Sequence, residues 1–416
     1  MQQTEWRGWV SGCKGVAWIV PLVLAAVLSA GGLAQGNPAQ HTVALNLDPE
    51  VRQGFARFYV QDYDAAGHIF NDVAQKHPND PMAWNYLLFT AIFRELYHQD
   101  LLDTTYYAHN SFLATKRDVN ISAAARKQIE DLTDKVVGMT DAAIGRNPND
   151  KDALFERGYA KGMHGAFVVL ADHAYAMGAR QGYAARNDSE AVLKLDSQYA
   201  DAYMAVGIQQ FAVASLPGWV RLIVGFMGVG GNRAKGLEML RYSAAHGTAT
   251  AVESRTALGL FLRHDGRYAE ALEVERGLAA EFPHGYLFQL EVANLTKDEG
   301  QGLAAMAAYK QVIADAAKPG YFADARLQMA WFGLADTERG YNQLKDAANG
   351  YEQAATQPEC SDWLRKRAWL YAGQTHDMLH ERQQAIADYQ QVLKPGGDQT
   401  QAAAAKGFIE KAYVGR

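Results

Sequence analysis

Apolar and polar positions in the second half of the chain repeat with a period of 34 residues from Val252 onward. In each period the apolar residues lie at helical spacing in two consecutive segments, which predicts a pair of antiparallel amphipathic helices. A second unit follows directly, and further units begin near Gln328 and Lys366. The pattern therefore predicts an all-α array of four helical hairpins.

Small residues recur at fixed places in these units, together with aromatic residues. A glycine or alanine at such a place lets the two helices of a hairpin approach closely, while aromatic side chains fill the gap to the next hairpin. The first unit carries Leu258-Gly259, Leu262, Gly266-Arg267-Tyr268, Ala271, Glu275, Leu278 and Pro283. The second carries Gly300, Ala305, Tyr309 and Val312, and the third Trp331, Ala347, Tyr351 and Ala354. The fourth carries Trp369, Ala372-Gly373, His376, Ala385, Tyr389, Val392 and Pro395.

The first half of the chain follows the same design less regularly. One unit carries Gly54, Ala66, Phe70, Val73 and Pro78, and Trp84 opens the next. Breaks between helices are predicted at residues 146–150 and 194–196. We therefore predict a divergent N-terminal helical region over residues 47–250, a regular array over 251–398 and a closing helix over 399–416.

These positions resemble the tetratricopeptide repeat family over most of residues 47–399. The resemblance implies a right-handed helical-hairpin solenoid in which stacked neighbours cover each other's apolar faces. It also implies a chain that binds proteins or peptides on its concave face and has no catalytic chemistry of its own. In this family, partners contact exposed positions on the first helix of each hairpin. Carried over to this sequence, those positions are Glu253, Thr256, Arg263, His264, Asn294, Lys297, Asp336, Arg339, Arg367, Gln374 and Asp377.

One segment departs from a plain repeat. Residues 215–240 combine a Ser-Leu-Pro start, an apolar run, a glycine-rich turn and a helix that begins after Asn232. Residues 200–315 resemble a eukaryotic family of tetratricopeptide proteins that are linked to the mitochondrial outer membrane and to clearance of inclusion bodies. The apolar run is too short to span a bilayer, so it is interpreted as buried packing, with membrane-surface association through residues 216–228 as the alternative.

The N-terminus has the pattern of an export signal. Basic residues precede an apolar run from Val16 to Ala30, and small residues before Gln35 form a cleavage site. We expect residues 1–34 to be a signal peptide and 35–46 a linker, with an uncleaved anchor as the alternative because the run approaches the length of a spanning helix. The remaining chain is expected to be periplasmic or membrane-associated.

Composition and motifs exclude several kinds of chemistry. A net charge of -6 gives no basic surface for nucleic acid, and two cysteines, Cys13 and Cys360, cannot build a disulfide scaffold. The glycines between 225 and 236 lack the lysine and hydroxyl of a phosphate-binding loop, and no nucleophile elbow or H-E-x-x-H helix occurs. His376 and His380 stand four residues apart, but they occupy a core position and a turn position of the repeat. No catalytic residue, metal ligand or cofactor is predicted.

Two functions remain. The first is an exported, non-enzymatic scaffold or assembly factor that binds protein partners through the first helices of its hairpins. The alternative is a periplasmic carrier that holds an apolar small molecule or lipid among the aromatic residues of the middle section.

Overall fold

The computed structural model describes residues 41–107, 117–216, 230–396 and 399–415, and within these ranges the chain is helical and contains no strand. The helices are α1 Pro49–Phe58, α2 Tyr63–Lys76, α3 Pro81–His98, α4 Ala123–Arg146, α5 Lys151–Asp172, α6 Tyr175–Leu195, α7 Tyr203–Ser215, α8 Arg233–His246, α9 Ala251–His264, α10 Tyr268–Glu281, α11 Tyr286–Asp298, α12 Gly302–Ala316, α13 Leu327–Gly340, α14 Leu344–Thr356, α15 Asp362–Met378, α16 Arg382–Val392 and α17 Gln399–Glu410. Consecutive helices pack on one another along the chain. The predicted all-α helical-hairpin solenoid is therefore confirmed.

Polar side chains set where several helices begin. Asp62, Asp80 and Asp150 each accept a hydrogen bond from a backbone N–H in the first turn of α2, α3 and α5. Asn232 does the same for α8, at the position expected from the sequence. These side chains satisfy backbone donors that have no partner inside the helix.

In each regular hairpin, the turn between the two helices contains a residue with left-handed backbone conformation. The two glycines, Gly266 and Gly300, have φ of 72° and 84°. The equivalent turns after α1, α13 and α15 use Gln61, Asn342 and His380 with φ near 60°. Glycine reaches this region without strain, whereas other residues do so only where the surrounding structure holds them. His380 therefore serves as a turn residue, as its place in the repeat predicted.

Close approach within a hairpin depends on the predicted small residues. A Cβ atom on Gly373 in α15 would lie 2.6 Å from the ring of Tyr389, which stands sixteen residues later in α16. Gly259 and Glu275 form the same pair in α9 and α10. Tyr389 is fully buried, and its hydroxyl donates to Asp377 at 2.9 Å, so the ring has no free space to move into.

The N-terminal hairpins fold back onto the C-terminal array. The Tyr59 hydroxyl donates to Glu253 at 2.7 Å, and the Tyr97 hydroxyl donates to the carbonyl of Asp324 at 2.8 Å. One continuous apolar core includes residues from α1 at one end and Trp363 of α15 at the other. The chain therefore fills part of its own interior, a long-range arrangement that the local repeat pattern does not encode.

The middle and the end of the chain differ from the regular hairpins. Helices α4, α5 and α6 have 24, 22 and 21 residues, which makes them the long helices of the divergent region. Helix α17 packs on α15 and α16, with Phe408 against the ring of Tyr389.

Two predicted segments, the export signal at 1–34 and most of the membrane-contact segment at 216–228, lie outside the described residues. Among the helices that are described, none combines the length and the apolar character needed to cross a bilayer.

We expect Gly373→Ala to lower the free energy of unfolding by about 1–3 kcal/mol, because the added methyl group would overlap the fixed ring of Tyr389. Urea denaturation followed by circular dichroism measures this change. Gly277→Ala in α10 is the matched control, since a Cβ atom there meets nothing within 4 Å. That control should be neutral or stabilising by up to about 1 kcal/mol. Equal losses in both variants would contradict the packing argument.

Candidate protein-binding surface

The eleven side chains predicted to contact a partner are less accessible than expected. Arg263, Asn294, Gln374 and Asp377 are buried. The others are half-buried: Glu253, Thr256, His264, Lys297, Asp336, Arg339 and Arg367. The expectation of exposure is therefore wrong for Arg263, Asn294, Gln374 and Asp377. The reason is that other parts of the same chain lie against them.

The segment after α3, residues 99–107, covers the first helices of the two leading regular hairpins. We refer to it as the inner segment. Thr104 accepts a hydrogen bond from Arg263 at 2.7 Å and donates one to Glu291. Asp103 accepts a long hydrogen bond from Asn294 at 3.4 Å. At Arg263 and Asn294, the space that the repeat register assigns to a partner is thus occupied by the chain itself.

Arg263 is the most enclosed of the predicted residues, with 1% of its surface exposed. Its guanidinium pairs with Glu291 at 2.8 Å and with Asp298 at 2.7 Å, and it also donates to Thr105 at 3.1 Å. Burial alone would lower the pKa of Arg263, but the charges of Glu291 and Asp298 outweigh it and hold the pKa above its usual value. The Arg263 guanidinium therefore has a structural role, because it neutralises the buried carboxylates of Glu291 and Asp298.

Asp100 fixes the start of the inner segment against two further hairpins. Its carboxylate accepts hydrogen bonds from Arg326 at 3.1 Å and Gln328 at 2.8 Å, and from the backbone N–H of Ser361 at 2.9 Å. The side chains of Asp100 and Arg326 are each 2% exposed. Asp100 itself has φ of 55°, so the chain leaves α3 through a left-handed residue at this point.

A second group of the predicted residues lies among aromatic rings on α13 and α15. The Arg367 guanidinium lies 5.3 Å from the ring of Phe332, 5.1 Å from that of Trp363 and 5.4 Å from that of Tyr371. Arg339 lies 5.4 Å from the ring of Tyr371. We call these five residues the arginine–aromatic surface. Arg339, Arg367, Phe332 and Tyr371 are half-buried, so part of this surface remains open to solvent.

Neighbouring charges extend this surface. Lys297 pairs with Asp336 at 3.3 Å. Arg339 donates to Gln374 at 3.2 Å and to the hydroxyl of Tyr413, near the C-terminus, at the same distance. Asp377 is turned inward, where it pairs with Arg382 at 2.9 Å and accepts from the backbone N–H of Tyr413 at 2.8 Å. The predicted residues therefore separate into buried structural groups and a half-buried set around Arg339 and Arg367.

The aromatic members of this surface were not predicted from the sequence. Trp363, Arg367 and Tyr371 stand four residues apart, a spacing that brings side chains together on one side of a helix. That spacing could have identified the surface. Asp100 carries no comparable local pattern, because its partners lie more than 220 residues later in the chain.

Glu253 lies where α1 meets α9. One of its carboxylate oxygens accepts a hydrogen bond from the hydroxyl of Tyr59, and the other has no hydrogen-bond partner within the described ranges. Burial raises the pKa of Glu253 to about 7, although the Tyr59 hydrogen bond and the charge of Arg255 oppose the shift. Asp201 adds to the rise. Glu253 is therefore held in the fold more readily as a neutral acid than as a carboxylate.

The middle section contains a shallow cleft beside the inner segment. Leu101, Tyr107, Val169, Leu170 and His173 are among the residues that line it. Its empty volume is about 230 Å³, including space that is open to solvent. Pockets for small molecules are usually larger, at about 300–1,000 Å³.

We expect Arg263→Ala to lower the free energy of unfolding by about 3–5 kcal/mol, because it would leave Glu291 and Asp298 without their buried partner. Thermal and urea unfolding of the purified chain measure this loss. Arg276→Ala on the exposed side of α10 serves as the matched control and should change stability by less than about 0.5 kcal/mol. A fully stable Arg263→Ala protein would contradict the structural role of this charge.

We expect Glu253→Gln to change how stability depends on pH. Since the folded-state pKa of Glu253 lies above its ordinary value of 4.5, its contribution is complete below about pH 4.5 and is lost as pH rises through 7. Glutamine keeps an acceptor for Tyr59 but cannot ionise. Relative to the natural chain, the variant should gain roughly 1–3 kcal/mol between pH 5 and pH 9. Urea denaturation at both pH values tests this, with Glu273→Gln, an exposed site on α10, as the control that should show no such gain.

No protein-family model matches this sequence, and no curated protein matches it. Several solved structures are similar in shape. The APC/C hetero-tetramer Cut9–Hcn1 has a TM-score of 0.49 at 12% identity, and the match covers 92% of this chain and 58% of that one. Yeast Tom70 gives a TM-score of 0.40 at 12% identity, covering 85% and 86% of the two chains. The human IFIT1 dimer with m7Gppp-AAAA gives 0.43 at 9% identity, covering 86% and 81%.

The chain thus spans little more than half the length of the first of these structures. The architecture is established by the chain's own helices. The hairpins α9–α16, their left-handed turns and the pairing of a small residue with a side chain sixteen positions later all follow the predicted register. The described part of the chain is therefore a solenoid of stacked helical hairpins.

Proposed function

We propose that this chain is an exported, non-enzymatic scaffold that binds a segment of another protein at the arginine–aromatic surface of α13 and α15. A helical-repeat fold of this type suggests a protein-binding scaffold. The observation that carries the proposal is the position of Arg367, half-buried between the rings of Phe332, Trp363 and Tyr371.

Arginine, tryptophan and tyrosine are the residues that most often dominate the binding energy of protein interfaces. Here the rings and the guanidinium groups already hold one another in place, so little side-chain freedom is lost when a partner binds. This preorganisation distinguishes the surface from an ordinary solvated helix face.

The charges indicate the kind of partner. Lys297, Arg339 and Arg367 contribute three positive groups, and Asp336 offsets only one of them. A guanidinium offers a planar pair of donors that matches a carboxylate. The proposed ligand is therefore a peptide segment that brings acidic side chains to Arg339 and Arg367 and an apolar or aromatic side chain to the rings.

The location of the scaffold rests on the sequence. The basic start, the apolar run from Val16 and the small residues before Gln35 support export across the cytoplasmic membrane. We propose a periplasmic or membrane-associated protein, with contact between residues 216–228 and the membrane surface as the alternative to burial of that apolar run. The alternative of an apolar-ligand carrier has less support, because the described cleft in the middle section is small and shallow.

Substitution at Arg367 separates these functions. We expect Arg367→Glu to lower partner affinity at least about tenfold, because it reverses a charge at the centre of the surface. Arg367→Lys should recover only part of the affinity, since lysine keeps the charge but not the planar stacking group. Both variants should melt within about 3 °C of the natural chain. Arg276→Glu, exposed on α10, is the control for a general charge effect.

The measurement is mass spectrometry of proteins and lipids that co-purify with the full chain from envelope fractions, followed by titration of the identified partner. A stoichiometric protein that is lost in Arg367→Glu and kept in Arg276→Glu would support the scaffold. Retention of that protein by both variants would exclude the proposed surface. A bound lipid without a stoichiometric protein would favour the carrier.

A further inference from the structure

Three helices bring metal-ligating side chains together near the C-terminal end of the solenoid. Glu352 of α14, His376 of α15 and Asp388 of α16 each direct one nitrogen or oxygen atom to a common point, and these atoms all lie within 4.8 Å of one another. The Nε2 atom of His376 is 3.1 Å from Glu352 Oε1 and 3.7 Å from Asp388 Oδ2. His376 and Asp388 are buried, and Glu352 is half-buried.

The imidazole of His376 is oriented by a second carboxylate. Its Nδ1 atom lies 2.7 Å from Glu381 Oε2, on the opposite side of the ring from the common point. A proton on Nδ1 donated to Glu381 leaves the lone pair of Nε2 directed toward Glu352 and Asp388. Histidines that bind metals are usually held by such a carboxylate partner, which fixes the tautomer and strengthens the ligand.

One oxygen at the common point has no hydrogen-bond partner among the described residues. Asp388 is 2% exposed, and its Oδ2 atom accepts no hydrogen bond from that part of the chain. The other oxygen, Oδ1, accepts only a long hydrogen bond of 3.4 Å from Gln384. An enclosed carboxylate oxygen without a donor is unfavourable. A cation between Asp388, His376 and Glu352 would satisfy it.

We propose that Glu352, His376 and Asp388 form a binding site for a divalent transition-metal cation of the Zn²⁺ type. A tetrahedral zinc ion with ligands at its usual bond lengths holds those ligands about 3.3–3.5 Å apart. The distances of 3.1 and 3.7 Å from His376 Nε2 fall on either side of that value. Three protein ligands leave a fourth position for water on the half-buried side of Glu352.

The donor set also indicates which cation the site prefers. Ca²⁺ and Mg²⁺ are bound mainly by oxygen atoms, whereas an imidazole with two carboxylates suits Zn²⁺ and its neighbours in the first transition series. The ion would join α14, α15 and α16 and so reinforce the last two hairpins. This site is separate from the arginine–aromatic surface, and it does not depend on the proposed function.

His380, which the sequence pairs with His376, takes no part in this arrangement. It is exposed and holds the left-handed turn between α15 and α16. This difference supplies a matched control, because His380 is a histidine only four residues from the proposed ligand.

The test is titration of the metal-free full chain with Co²⁺, which reports its coordination by visible absorption, followed by displacement with Zn²⁺. We expect one equivalent of Co²⁺ to give tetrahedral absorption bands and Zn²⁺ to abolish them. Asp388→Asn keeps the shape of the side chain and should weaken binding at least tenfold, as should His376→Gln. Circular dichroism establishes that each variant is folded, and Glu352→Gln at the half-buried position provides a third, less disruptive variant.

His380→Gln should bind within twofold of the natural chain. The proposal is overturned if Co²⁺ gives no saturable absorption at one equivalent. It is equally overturned if folded Asp388→Asn, His376→Gln and Glu352→Gln all bind Co²⁺ within twofold of the natural chain. Either result would leave the three residues as a structural hydrogen-bonded cluster around His376.

Discussion

The buried pair of Asp100 and Arg326 joins the N-terminal helices of this solenoid to its C-terminal array. Arg326 also donates to the carbonyl oxygens of His98 and Glu359, so one guanidinium connects the end of α3 with the turns before α13 and α15. A buried ion pair is not a large net source of stability, but loss of one partner leaves the other charge enclosed. The pair therefore specifies how the N-terminal hairpins dock rather than how strongly each hairpin folds. With this docking in place, the inner segment lies against α9 and α11.

The hairpins could be predicted from the sequence because their determinants are local. A small residue such as Gly259 or Gly373 is required wherever a side chain sixteen positions later packs against the first helix. This requirement recurs at the same position of the repeat. The accessibility of the first helices could not be predicted in the same way. It depends on Thr104 and Asp103, which lie outside the regular units and meet Arg263 and Asn294 only through the folded path of the whole chain.

The two candidate sites also differ in how far local sequence predicts them. Trp363, Arg367 and Tyr371 belong to one helix, and their spacing alone places them together. His376 was assigned from the register to a core position, and it is indeed buried. Its neighbours Glu352 and Asp388 belong to the two adjoining helices, so their convergence required the rotation of each helix about its axis. Sequence periodicity gives that rotation only approximately, because a shift of one residue turns a helix by about 100°.

The contact between Tyr97 and Asp324 spans 227 residues of sequence, and this separation bears on how the chain matures. At ordinary rates of synthesis, about 10–45 s pass between the appearance of these two residues. During that interval Tyr59 and Tyr97 exist without Phe282 and Asp324, the residues that later pack on them. The nascent chain thus exposes apolar surface of its N-terminal half for far longer than a helical hairpin needs to form. The yield of folded protein should therefore depend on chaperones that bind the incompletely synthesised chain.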